Sequence, residues 1–252
     1  MRVEYLYRYP VKGLTAEALE ATEVETGGAI PWDRAFALAQ GDGAFDPKAP
    51  GWVPKANFMC LMKNAGTAAL RSHFDTKSSI LTIRAPDGDG ISENALNPEG
   101  QIRIATFLSS FMGEEARGTP SFHHIPGHVF GDSRKPVISL INIASLQDYE
   151  AKQQERRHRR RFRANVWFSG AAAWSEFDWI GKTIQMGGAM LRITDRIIRC
   201  PATEVNPVTA QRDADPIREL RTLYGHTHLG VFAEVIEGGR FAVGDGIEVL
   251  LD

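Results

Sequence analysis

"LGVFAEVIEGGRFAVGDGIEVLL" (residues 229–251) places Val231, Ala233 and Val235 on alternate positions, then a Gly238-Gly239 pair, then a second alternating run. Period-2 spacing puts every other side chain on one face, so the stretch predicts two half-buried strands separated by the glycines. The same pattern extends upstream. "IGKTIQMGGAMLRITDRIIRC" (180–200) predicts a hairpin through Gly187-Gly188, "RFRANVWFSG" (161–170) a strand, and "VISLINIASL" (137–146) a buried strand running into the polar helix "QDYEAKQQERRHRR" (147–160). "DADPIRELRTLY" (213–224) predicts a helix. Towards the start, "VEYLYRYP" (3–10), "ALEATEVET" (18–26), "DRAFALAQ" (33–40), "AALRSHF" (68–74) and "SILTIRAP" (79–86) predict short strands with Gly/Pro punctuation between them. "NPEGQIRIATFLSSFMG" (97–113) predicts a helix whose Ile102, Phe107, Leu108 and Phe111 share a face and whose Gly113 stops it. The fold class is mostly β (α+β), with a few peripheral helices. A soft boundary near 115–135 divides an N-terminal β-unit, 1–120, from a C-terminal β-barrel-like unit, 121–252.

The 252 residues carry a net charge of -2, which supplies no field for a nucleic-acid partner. The basic run "RRHRRRFR" (156–163) is interleaved with a single phenylalanine and reads as a solvated helix C-terminus complementing the macrodipole. No apolar stretch is long enough to span a bilayer, and "MRVEYLYRYPVKG" resembles no signal peptide, so the expectation is a cytoplasmic protein without a membrane partner. Two cysteines make no disulfide framework. No GxGxxG, Walker A loop, HExxH or CxxC is present. "HHIPGH" (123–128) and "HTH" (226–228) read as polar loop histidines before they read as a metal site.

Cys200 stands apart. It lies between Arg199 and Pro201, at the end of an apolar run, where a sulfur can face a site instead of filling a core. A neighbouring guanidinium favours the thiolate that binds metal or attacks. Three further places carry cations suited to an anion: Lys12 in the tight turn "YPVKG", where Gly13 lets backbone approach a ligand; Arg34 in "PWDRAF"; and Arg163, which strand alternation places on one face with Asn165.

"YPVKG", "WDRAF", "RFRANVWFSG", "RCPATEVNP" and "LGVFAEV…GGRFAVGDGIEVLL", in that order over nearly the whole chain, resemble MOSC-domain proteins. The branch they most resemble contains the mitochondrial amidoxime-reducing component and its bacterial relatives. The resemblance implies an N-terminal MOSC β-barrel unit followed by a MOSC β-barrel that binds a molybdenum cofactor, a Mo-pyranopterin. It implies Cys200 as the metal's protein ligand, with Arg199 beside it. Lys12, Gly13 and Arg34 would bind the cofactor's phosphate or pterin end, Arg163 and Asn165 would line the pocket, and Thr203 would follow the metal ligand. Asn142 and Ser145 would approach the cofactor, and Glu204 would be a proton donor. Family-level descriptions also carry a pyridoxal phosphate term. The implied activity is reduction of N-hydroxylated small molecules by oxo transfer at molybdenum, with electrons from a separate ferredoxin- or cytochrome b5-like protein. The alternative is a cofactor carrier or sulfur-transfer module without turnover. The loop after the cysteine reads "TEVNP" where the amidoxime-reducing branch has Thr-Thr-Val-Asp-Pro, and Gly13 stands where a serine is common.

Overall fold

The structure is a computed structural model that describes residues 1–250. In chain order it contains β1 (Arg2–Arg8), β2 (Glu17–Leu19), β3 (Ala21–Val24), β4 (Phe36–Ala39), β5 (Arg71–Asp75), β6 (Ile80–Arg84), β7 (Gly90–Asn94), α1 (Pro98–Met112), β8 (Ser121–His124) and β9 (Ile138–Asn142). These are followed by α2 (Ile143–Gln153), β10 (Val166–Ser169), β11 (Thr183–Met186), β12 (Ala189–Ile198), α3 (Pro216–Tyr224), β13 (His228–Glu237), β14 (Gly239–Ala242) and β15 (Ile247–Val249). The protein is mostly β.

Eight strands form one curled sheet in the order β15-β11-β12-β13-β9-β10-β1-β2, antiparallel except for the parallel pair β9–β10. The sheet bends back on itself: Val3 N–H donates to the Asp245 carbonyl and Gly244 N–H to the Val3 carbonyl, so the start of β1 meets the turn before β15. Closure buries Leu140, Val166, Phe168, Ile184, Leu191, Val231 and Ala233 in one core, and leaves little unpaired edge. A second core lies between the β4–β8 pair, the β5-β6-β7 sheet and α1, around Phe36, Phe74, Leu81 and Leu108. The boundary at 120/121 falls across the large sheet: β1 and β2 from before it belong to that sheet, and β3 pairs with β14 from after it.

Several local expectations are corrected. The stretch 229–251 gives three strands, and β13 and β14 do not pair with each other. β12 pairs with β13 along its length, β9 pairs with it over Val231–Ala233, and the chain after Gly238 pairs with β3. An additional strand, β7, follows the "PDGDG" turn. On α1 the buried face is Ile104, Ala105, Leu108 and Met112, while Ile102 is 66% exposed. Helix α2 begins at Ile143, capped by the Asn142 side chain, and ends at Gln154 in the left-handed region. The basic run therefore lies beyond the helix. Arg157 is buried against Glu155 and Glu219, Arg161 pairs with Asp213, and Arg159 stacks on Tyr5. Arg163 is not on a strand either: it closes a short 3-10 turn at 159–162 with φ 51°. No helix among the described residues is long and apolar enough to cross a membrane.

Candidate functional site

A cavity of about 550 Å³ opens between the cysteine end of β12, the loop 129–137 and the turns after β1 and β4. It falls within the size range of small-molecule and cofactor sites. Its wall brings together Lys12, Gly13, Arg34, Arg163, Asn165, Arg199, Cys200 and Thr203, contributed by well-separated stretches of sequence. Long β12 and β13 set the depth, and Cys200 sits just past the point where they separate.

Gly13 has φ 87°, and a Cβ there would meet the Met59 carbonyl at 3.1 Å. That crowding, together with left-handed backbone, accounts for glycine in place of serine. Lys12 donates to the Phe130 carbonyl at 2.9 Å and to Asp132 at 2.8 Å, and Lys55 donates to the other Asp132 oxygen at 2.8 Å. Burial pushes the Lys12 ammonium below its ordinary range. At Lys55 burial acts the same way, but Asp132 and the adjacent Cys200 sulfur outweigh it and hold the ammonium well above its usual range. Asp132 is held well below the usual carboxylate range because the two lysines overcome its desolvation.

Arg34, itself at φ 52°, is paired with Asp33 and donates to the Arg163 carbonyl at 3.0 Å. Tyr9 is flanked by cations: the Arg34 and Arg163 guanidinium carbons lie 4.8 and 4.3 Å from its ring centroid. Burial pushes the Tyr9 hydroxyl up to about 12, and the two guanidinium groups act against that rise.

Two guanidinium groups at the cavity, the buried Arg199 and the half-buried Arg163, pair with no carboxylate among the described residues. Arg199, 7% exposed, donates Nε to the Leu229 carbonyl at 2.9 Å and Nη1 to the Phe162 carbonyl at 2.8 Å. Arg163 donates to the Leu14 carbonyl at 2.7 Å. Burial pulls Arg199 down to about 9, against the attraction of the Cys200 sulfur, and Arg163 down to about 10, against that of the Tyr9 hydroxyl. A guanidinium does not give up its proton at such values, so the shifts express an electrostatic demand that an incoming anion would satisfy. Gly230 makes room for Arg199: at φ 82°, a side chain there would run into the Leu140 carbonyl and reach the guanidinium.

Other expected residues are committed to structure or stand away from the cavity. The Asn165 amide faces the cavity floor but is committed to structure. Its oxygen accepts from the Ser139 hydroxyl at 2.7 Å, and its nitrogen donates to the Tyr7 carbonyl at 3.2 Å. Asn142 and Ser145 do not reach the cavity. Their side chains bind Glu176, which is fully buried and pushed up by desolvation. Glu204 also points away, paired with Arg212 at 3.0 Å. Thr203 folds its hydroxyl onto the Cys200 carbonyl at 2.9 Å and shapes the turn. The loop histidines take aromatic partners: His128 lies 4.7 Å from Phe130, and His226 packs among Trp174, Phe177 and Tyr224. Among the described residues no group of three or more His, Cys, Asp or Glu is placed to hold a metal ion. Lys55, Asp132 and Tyr9 are not singled out by the sequence. Only Tyr9 carries a signal there, since it opens the "YPVKG" turn.

A metal in this cavity must bring most of its own ligands and accept one sulfur from the protein. A soft metal carried by an anionic organic cofactor meets that description, and the carboxylate-free arginines meet its negative charge. No curated protein matches the chain. Two solved structures are similar at low identity: the YUAD protein from Bacillus subtilis (17% identity, TM-score 0.45, 98% of this chain and 94% of that one) and YiiM from Geobacillus stearothermophilus (12%, TM-score 0.35, 45% and 54%). Family models match the MOSC N-terminal beta barrel domain over residues 1–116 and the MOSC domain over residues 126–248. MOSC domains are associated with molybdenum-cofactor binding. The two matches account for most of the chain, which belongs to the MOSC-domain family.

Proposed function

We propose that the cavity binds a molybdenum cofactor with Cys200 as the protein's ligand to the metal, and that the protein is a reductase of N-hydroxylated small molecules. The observation that carries this reading is the pairing, in one cavity of a MOSC-family protein, of a partly exposed cysteine with a buried and a half-buried arginine that lack carboxylate partners among the described residues. When bound, the cofactor supplies two-electron redox chemistry at its metal. The chain's own residues bind and orient it. Arg199 and Arg163, fixed by carbonyls on β13 and the turn before β2, present positive charge without needing to move. Lys55 holds a proton on Nζ beside the Cys200 sulfur, in the place the resemblance gives to Glu204. Phe162, Ile197 and Phe232 give the cavity wall apolar surface, which limits water there. Electrons would come from a separate ferredoxin- or cytochrome b5-like donor.

The test is metal and pterin content of wild type and Cys200→Ser purified from a molybdenum-replete host. Loss of molybdenum in the variant is expected; equal metal in both would remove Cys200 as ligand. Wild type carrying metal should then reduce a generic hydroxylamine or amidoxime with an artificial reductant. Metal without reduction would instead assign the protein to cofactor carriage or sulfur transfer.

A further inference from the structure

Beside the main cavity lies an annex of about 40 Å³, joined to it through Gly13, Leu61, Arg161 and Arg163, which line both. In the same measure a water needs roughly 10–15 Å³, so the annex has room for about three water-sized positions, the scale of one tetrahedral oxyanion. Arg71, Arg160, Arg161 and Arg163 face it, and no aspartate or glutamate among the described residues does.

The hydrogen bonding of these arginines is incomplete. Arg161 is 5% exposed, donates to the Glu204 carbonyl and to Asp213, and has a buried Nε with no partner among the described residues. Leaving a buried charged donor unmet costs more than leaving a neutral one, so this nitrogen asks for an acceptor. Arg163 spends one nitrogen on the Leu14 carbonyl. The Arg160 guanidinium has no hydrogen bond or ion pair among the described residues. Arg71 caps the carbonyls of Ala68–Leu70 with a single nitrogen.

In the main cavity Arg199 spends its donors on the Leu229 and Phe162 carbonyls, and the cations nearest the loops hold carboxylates. Lys12 and Lys55 already share Asp132, and Arg34 already holds Asp33. A phosphoryl group placed there would confront two carboxylates. Placed in the annex it meets arginines alone, whose planar forks match phosphate oxygens.

We propose that the annex is a phosphoryl-binding subsite, and that the ligand of the main cavity is a phosphate ester or diphosphate whose phosphoryl group seats between Arg71, Arg160, Arg161 and Arg163. The proposal rests on the cofactor reading, deepens it, and moves the phosphate away from Lys12 and Arg34. Its test is read on cofactor-free protein, so it can fail while the Cys200 assignment stands, and the reverse.

Inorganic phosphate and pyrophosphate are titrated by calorimetry into cofactor-free wild type, the double variant Arg71→Gln/Arg160→Gln and Lys12→Gln. The double variant alters only exposed and half-buried side chains, and its melting curve checks the fold. Two lost charge-assisted contacts should weaken binding about tenfold or more, while Lys12→Gln should change it less than about threefold. Absence of binding to wild type, an unchanged double variant, or a loss confined to Lys12→Gln would each overturn the proposal. The phosphorus-to-molybdenum ratio of protein purified with its ligand then identifies the source. One phosphorus per metal indicates the cofactor's own monoester, two or more a nucleotide-extended form, and phosphorus without metal a separate phosphate.

Discussion

Two polar clusters lie close to β9, and they solve the same problem in opposite ways. In one, Asn142, Ser145 and Glu176 form a closed set in which every side chain has its partner inside the protein and burial favours the neutral acid. In the other, Arg163 and Arg199 remain charged, anchor to carbonyls and turn the rest of their capacity towards a cavity. A neutral, self-satisfied network stiffens a fold; a charged, partly satisfied one costs stability until something binds. The contrast separates structural from ligand-facing polar residues without any ligand present.

The largest effect is expected at Arg199. Arg199→Ala strips donors from the Leu229 and Phe162 carbonyls and opens a hole beneath β13, and should cost about 4 kcal/mol in denaturant unfolding. Gly230→Ala should cost about 3 kcal/mol, through left-handed strain and collision with the Leu140 carbonyl, and should also disturb Arg199. On the closed side, Glu176→Gln keeps the shape of a neutral acid. Its effect at acidic pH should be no more than about 1 kcal/mol. The sign of its pH dependence is more telling. The folded-state pKa of Glu176 is raised, so the folded protein holds the proton longer, and wild type should lose stability as pH rises from the ordinary glutamate value through the folded one. The glutamine variant should lack that decline; an identical slope in both proteins would mean the two clusters do not differ in charge. Smallest of all, Asp132→Asn should cost less than about 1 kcal/mol near neutrality, because the Asp132 side chain is 49% exposed. Since its folded pKa is depressed, its contribution is present above the ordinary aspartate value and disappears as pH falls towards the folded one, so the variant should show a shallower acid-side loss.

Alternation and glycine pairs make the barrel strands readable, because half-buried strands write their burial directly into period-2 spacing. Pairing partners are not readable: nothing in "GGRFAVGDG" says that β14 pairs with β3 and not with β13. At the site, Cys200 is legible from its place at an element end, and Lys12, Gly13 and Arg34 from their turns and the family motifs. Period-2 reasoning gives Arg163 a strand conformation it does not have, since one residue in the left-handed region leaves no mark on composition. Asn142 and Ser145 are misplaced by a segment-level likeness that does not specify which way a side chain turns. Lys55 and Asp132 come from loops without periodicity, and their meeting at 2.8 Å is a product of tertiary structure alone.

The position of β1 has a further consequence for how the protein is made. Its residues pair with β10 far along the chain, as Arg2 with Ser169 and Val3 with Phe168. Such long-range pairing is slow to form and exposes unpaired strand edge until it does. During synthesis the first strand must therefore wait until β10 has left the ribosome, and the cavity must wait longer, for Cys200 and β13. Any ligand that binds here can do so only once β13 has emerged, and its binding can select the finished barrel over intermediates that lack one wall.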